Sequence, residues 1–277
     1  MKKNKTARSL KERIFRWIRI IAIIYVLIGI TLYVVQDKIL LHPIALAKDY
    51  SFNFPTPFIE VNIPLNGSDN LNLVEFLPKD SIRKGIVIYF HGNLRNVMRY
   101  APYASNFTRH GYEVWMPDYP GFGKTTGAFT EANLYMQARE VYKLARTKYS
   151  SDRIIIYGRS LGSGVASWLA SRKPCQRLVL ETPYYSIPDL FRRYAPIYPA
   201  ASLSHFRFPT GEYLSDIKAP VTIFHGTDDW IIPYNRAAKL KKVLKPGDEF
   251  ITIDHGSHND LNSFSLYQQK LDSLLSL

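Results

Sequence analysis

The stretch 153–168 restricts the possible folds of this chain more than any other. It opens with a β-branched run, Ile154 to Ile156, long enough for a buried strand and too short for a helix of its own. Gly158, Ser160 and Gly162 follow in the spacing G-x-S-x-G, and small and apolar residues suited to a helix come next. A strand that turns into a helix over so few residues holds the middle residue strained at the tip, and the flanking glycines give the backbone room. The Ser160 hydroxyl is then expected clear of both elements, at a helix N-terminus whose dipole favours developing negative charge. That is a nucleophile's position. The spacing alone is met equally by a serine that merely caps a helix beginning at Leu161, so the rest of the chain has to decide.

On either side of that corner, strand and helix patterns alternate. Residues 58–63 and 71–77 flank a turn at 66–69 and read as a hairpin. A buried strand is expected at 85–90, a helix at 96–110 that stops at Gly111, and a strand at 113–116. A long helix over 130–149 has Thr130 and Glu131 as start signals. After the corner and its helix to residue 172 come strands at 177–181, 221–224 and 249–253, with helices at 233–244 and 259–275. This pattern predicts an α/β fold: a mostly parallel sheet covered by helices on both faces. In such sheets ligands gather beyond the carboxyl ends of the strands. Residues 182–219 break the alternation with five prolines and eight Tyr or Phe. An insertion of that length between two strands reads as a lid over a site, or as a long loop with local aromatic packing.

The N-terminus is of another kind. Residues 1–19 hold eight Lys or Arg against one Glu, so much of the formal net charge of +13 is a tail effect and a weak argument for nucleic-acid binding. No zinc-finger, basic-zipper or RNA-binding signature supports a nucleic-acid partner. Residues 20–35 carry no charge, and the run reaches 19 residues if extended back to Trp17 with Arg19 snorkelling. That is enough for a bilayer-spanning helix. Trp17 and Tyr33 stand near its two ends, as interfacial aromatics do, and the basic flank puts the tail in the cytoplasm and the bulk of the chain across the membrane. A cleaved signal peptide with Ala45-Leu46-Ala47 as its cutting site is the rival, weakened by the long gap before the cut. Expected boundaries are therefore a tail over 1–19, an anchor over 20–35, a connector over 36–56 and one domain over 57–277, with the lid at about 182–219.

Acyl transfer by a serine needs a base to take its proton and an acid to orient that base. Asp229 lies just past the strand at 221–224, and His258 just past the last strand. Asp228 and Glu181 compete with Asp229, and His255 competes with His258. His91 and His225 read as loop-orienting, and Asp118 as holding the Tyr-Pro-Gly turn that follows it. The lone Cys175 excludes an internal disulfide and any cysteine-based metal site. No metal-ligand spacing appears, and Gly121 to Thr125 matches only the end of a phosphate-binding loop, so no cofactor is expected.

His91-Gly92-Asn93, the run from Asp118 to Gly123, Gly158 to Gly162, the stretch from His225 to Pro233 and the late Gly-Ser-His258 occur together in this order. From about residue 57 onward the chain resembles an α/β-hydrolase-fold serine hydrolase. More narrowly, it resembles the small membrane-anchored branch that includes esterases and depalmitoylase-like thioesterases. The resemblance implies Ser160 as nucleophile, Asp229 as orienting acid and His258 as base, with the backbone N–H groups of Leu161 and Asn93 forming the oxyanion hole. It implies a cofactor-free enzyme that cleaves esters or thioesters of apolar, lipid-like acyl substrates. Two other readings remain: an amidase resembling serine aminopeptidases, and a membrane-tethered binding protein without catalysis.

Overall fold

Successive side chains of a strand point to opposite faces, so a sheet covered by helices on both faces needs strands that are apolar at nearly every position. The central strands here follow that rule. A computed structural model describes residues 10–65, 67–80 and 83–276. Tail residues 1–9 and Asn66 of the expected turn lie outside the described residues. The main sheet has eight strands: β1 (Phe58–Pro64), β2 (Asn70–Phe76), β3 (Gly85–Phe90), β4 (Tyr112–Pro117), β5 (Ile154–Arg159), β6 (Arg177–Glu181), β7 (Val221–Gly226) and β8 (Glu249–Ile253). Their spatial order is β8-β7-β6-β5-β3-β4-β2-β1. Only β2 runs antiparallel to its two neighbours, and the remaining pairs are parallel.

In β5, Ile154 and Ile156 join one core, with Leu134, Val141 and Leu169 of the helices on that face. Ile155 and Tyr157 join the other, with Phe107, Tyr267 and Leu271. Each such side chain, fully withdrawn from water, contributes about 1.5–3 kcal/mol. The covering helices include α2 (Glu131–Lys148) and α3 (Gly162–Arg172), and the chain closes with α5 (Ser265–Ser276). Thr130 caps α2 by accepting a hydrogen bond from the Asn133 N–H. Between β6 and β7 lie α4 (Ile187–Tyr194) and two shorter helices, Ala200–Leu203 and Thr210–Asp216.

Some expected helices are broken. The one expected at 96–110 is two single turns, Val97–Tyr100 and Ser105–Thr108, joined by a 3-10 turn at Ala101–Ala104. Pro102, which has no N–H to give, sits at the start of that 3-10 turn. The helix expected at 233–244 likewise becomes Tyr234–Ala237 followed by a 3-10 stretch, Ala238–Val243.

The N-terminal helix α1 (Leu10–Leu40) is longer at both ends than the uncharged run at its middle. It does not stop at residue 35, because no Gly or Pro interrupts residues 30–42 and the first breaker is Pro43. It is long and apolar enough to cross a membrane, and of its residues only Gly29 is buried. The chain beyond it is not a slack connector. His42–Pro43 pair in parallel with Leu94–Arg95, and the Leu46 N–H donates to the Gly123 carbonyl at 2.7 Å. The segment 42–46 is thus stitched to two loops at the carboxyl edge of the sheet.

Candidate active site

The sharp corner after β5 exists because its neighbours leave no alternative. A Cβ on Gly162 would lie 2.1 Å from the Phe90 carbonyl oxygen, and one on Gly158 would lie 2.6 Å from the Ala166 Cβ. With β5 and α3 packed that closely against β3 and each other, Ser160 is forced to a φ of 50°, a conformation costly for any residue but glycine. Its N–H donates to the Glu181 carbonyl at 2.9 Å, and its own carbonyl accepts from the Ser163 N–H at 2.9 Å. The side chain is left free to face the loops beyond β7 and β8.

Those two loops are sewn together. The Thr227 N–H donates to the Ile253 carbonyl at 3.0 Å and the Asp228 N–H to the Gly256 carbonyl at 2.9 Å. A Cβ on Gly226 would lie 2.0 Å from the Gly256 carbonyl oxygen, so the approach requires a glycine there. The result brings together three side chains that are far apart in the sequence. His258 Nε2 lies 2.9 Å from Ser160 Oγ, and His258 Nδ1 lies 2.7 Å from Asp229 Oδ2. The other carboxylate oxygen of Asp229 accepts the N–H groups of Ile231 (3.0 Å) and Ile232 (2.8 Å). Asp229 therefore keeps its acceptors occupied by fixed donors, and one of them is the imidazole.

The competing residues are accounted for elsewhere. Asp228 and His255 are exposed and face each other at 3.5 Å, with His255 in a left-handed turn at φ 58°. Glu181 is buried against Arg159 at 3.3 Å and accepts from the Tyr267 hydroxyl at 3.2 Å and from the Tyr157 hydroxyl. Burial, and then the charge of Glu181, push both tyrosines well above the ordinary phenol range. Burial opposes the charge on Arg159, but Glu181, Tyr89 and Tyr103 together more than offset it and raise the guanidinium above its ordinary pKa.

His225 donates from Nε2 to the Ile232 carbonyl at 2.8 Å and so braces the turn whose amides hold Asp229. Burial lowers its pKa, in spite of the nearby Asp229, and keeps the ring neutral. His91 Nε2 lies 3.0 Å from Asp118 Oδ1, and the Tyr119 hydroxyl donates to the His91 carbonyl at 2.6 Å. Asp118 does not hold the turn after it, as its sequence position implied. Its Oδ1 accepts from His91 and from the Val97 N–H at 2.8 Å, which fixes the loop that carries Asn93.

A cavity of roughly 490 Å³ stands over Ser160 and His258, and Asn93 and Leu161 also border it. Ile187, Leu190, Phe191 and Tyr194 of α4 form one wall. A second part of the lining was not foreseen: Leu32, Gln36, Ile39 and Leu40 of α1. The end of α1 is tied to this site directly, because Asn93 Nδ2 donates to the Leu40 carbonyl at 2.5 Å and the His42 N–H donates to the Asn93 carbonyl at 3.0 Å. Arg159 was also missed and lines the cavity beside Ser160. Its signal was available in the unusual placing of a charge inside a buried strand end.

Solved structures similar to this one share its fold. An esterase of Pyrococcus furiosus superposes with a TM-score of 0.67 at 18% identity, covering 85% of this chain and 97% of its own. Est1E from Butyrivibrio proteoclasticus superposes at 0.62 with 16% identity, over 78% of this chain and 97% of its own. The chain has the α/β-hydrolase fold. A family model described as serine aminopeptidase, S33, matches residues 81–213, a span that includes Ser160 but neither Asp229 nor His258. Similar curated proteins include the alpha/beta hydrolase domain-containing protein 17C of Xenopus tropicalis, 28% identical over 69% of this chain. Human protein 17B is 27% identical over 70% of this chain and 67% of its own length. The chain spans 61% of the length of the first of these relatives.

Proposed function

We propose that this α/β hydrolase is a membrane-anchored serine hydrolase that cleaves carboxylic ester or thioester bonds of apolar acyl substrates. The observation that carries the reading is the relay Ser160–His258–Asp229 standing at the base of an apolar cavity. With Nδ1–H of His258 donating to Asp229, Nε2 is the free base and accepts the Ser160 Oγ–H. Oγ attacks the acyl carbonyl while His258 takes the proton. His258 then returns that proton to the leaving alcohol or thiol, and an acyl-enzyme remains. A water deprotonated by the same ring releases the acid. The N–H groups of Leu161 and Asn93 stabilise the charge on the carbonyl oxygen, each worth about 3–4 kcal/mol of barrier. Labelling by a fluorophosphonate probe tests the reading: wild type labelled and Ser160→Ala unlabelled is the expected result. A folded wild type that takes up no probe would favour a tethered binding protein instead.

The family model's description favours an amide substrate as the second reading. Against it, no Asp or Glu is among the described residues that line the cavity, so nothing there pairs with a free amino terminus. Rates on p-nitrophenyl acyl esters of rising chain length, set beside aminoacyl amides, separate the two, and preference for the amides sinks the first.

The anchor reading rests on α1, whose first turns carry Lys11, Arg13, Arg16 and Arg19. This basic flank orients the helix with its N-terminus in the cytoplasm and the hydrolase domain on the far side. Cutting after Ala47 would remove a segment hydrogen-bonded into the site, which supports an uncleaved helix.

A further inference from the structure

The same helix supplies the uncharged run 20–35 and a wall of the cavity above Ser160. Leu32 belongs to both. A helix that crosses a bilayer cannot line a cavity with a residue of its span unless the cavity reaches into the hydrocarbon.

The segment after α4 follows the helix further down. Residues 195–203 carry no charge and hold two prolines. Tyr198 stacks on Tyr25 with ring centroids 4.6 Å apart and closes over Gly29, where an added Cβ would lie 3.1 Å from its ring. Tyr25 stands eleven residues before Gln36, about 16 Å along the axis at 1.5 Å per residue, or roughly half the hydrocarbon thickness. Irregular backbone survives at such depth only where its polar groups are satisfied.

Here they are largely spent. The Tyr25 hydroxyl donates to the Ile197 carbonyl at 3.1 Å, and the Tyr198 hydroxyl to the Tyr25 carbonyl at 2.9 Å. Ala195, Tyr198, Ser202 and Leu203 donate their N–H groups within the segment or to the end of α4, and the two prolines have none to place. Polar contacts begin where the helix leaves its apolar run. Gln36 Nε2 donates to the Leu203 carbonyl at 2.8 Å, and His205 Nδ1 lies 2.8 Å from Asp37 Oδ1. Outward from this seam, Ile197 is 71% exposed, Tyr194 61% and Trp230 76%, an apolar rim that water would not favour.

We infer that residues 195–203 are sunk in the outer leaflet against α1, and that the acyl chain of a bilayer lipid or lipid-linked ester enters the cavity sideways, between α1 and α4. The inference rests on the hydrolase and anchor readings above. The helix is then a substrate-binding wall as well as a tether, and long-chain selectivity depends on it.

The test uses the full chain reconstituted in phosphatidylcholine vesicles. In a Cys175→Ser background, Ile197→Cys is labelled with an environment-sensitive fluorophore. Quenching by lipids brominated in mid-chain, and protection from aqueous iodide, is the expected result. Iodide quenching without bromolipid quenching overturns the placement, whether or not the protein is active. Ile197→Asp, which leaves the cavity lining untouched, is expected to lower hydrolysis of a palmitoyl ester held in the vesicles about tenfold or more. Its rate on p-nitrophenyl acetate in water is expected to stay within twofold of wild type. An equal loss on both substrates, or none on the palmitoyl ester, overturns lateral entry. A wild type inert to p-nitrophenyl acetate would instead count against the hydrolase reading.

Discussion

Two Asp–His pairs lie side by side at the ends of β7 and β8, made of the same residue types, with the aspartates adjacent in the chain and the histidines three residues apart. Asp229 and His258 are buried and meet at 2.7 Å, with the second carboxylate oxygen held by two backbone amides. Asp228 and His255 are exposed and stand 3.5 Å apart, and the Asp228 carboxylate accepts a hydrogen bond from Thr227 Oγ1 at 3.0 Å. Water screens the outer pair and competes for every donor, so its geometry is loose and its worth small. The inner pair is dry, and its ring can turn neither away from Asp229 nor away from Ser160 without leaving a buried acceptor unmatched. One residue of offset between the aspartates and three between the histidines separate a surface contact from the proposed proton relay.

The sharpest way to break this contrast is to remove each imidazole in turn. His258→Ala is expected to lower kcat/KM on a short p-nitrophenyl ester by about 10⁴-fold or more, with His255→Ala within twofold of wild type. A large loss in the second variant would exchange the roles of the two pairs. Removing the charge of each acid comes next. Asp229→Asn is expected to cost about 10⁴-fold in kcat through the wrong imidazole tautomer, and Asp228→Asn almost nothing in the same assay.

Glu181 sharpens the comparison from a third side, since it too ends a strand at this edge. Its partners are Arg159 and two tyrosines rather than a histidine. Glu181→Ala is therefore expected to act on stability, by about 3–5 kcal/mol in denaturant unfolding, because it strands a buried guanidinium. Should it leave stability intact and abolish turnover, Glu181 would be the orienting acid. The smallest expected effect comes from His225. Burial holds its pKa below the ordinary 6.5, so the unfolded chain binds this proton more readily than the folded one. Stability from this group is complete above pH 6.5 and falls as the pH drops below it, toward the folded pKa. His225→Gln is expected to flatten that part of the stability profile, read as denaturation midpoints between pH 7 and pH 5.

The sheet was legible because its signals are local. β-branched runs, turn residues and the crowded glycines of the elbow each speak for themselves within a few positions. Ser160, Asp229 and His258 could be picked out by order along the chain, yet the sequence left Asp228 and His255 as rivals. What separates them is which side of a two-loop seam each side chain falls on, and that is set by the Gly226–Gly256 contact between distant strands. The broken helix at 97–108 was signalled by Pro102 and overlooked in favour of the apolar spacing around it.

The role of α1 was missed because uniform apolarity hides a face. Tyr25, Gly29, Leu32, Gln36 and Ile39 recur at three- and four-residue steps, so its small and polar members lie on one stripe of an otherwise greasy helix. That stripe is the one that meets the insertion and the cavity.

The hydrogen bond from Asn93 to the last carbonyl of α1 has a practical side. A truncated form starting near residue 57, the natural choice for purification without detergent, would retain the proposed reacting side chains while discarding one wall of the mould around them. Substrate profiles collected on such a fragment would describe an open trough, and their indifference to chain length would be an artefact of where the protein was cut.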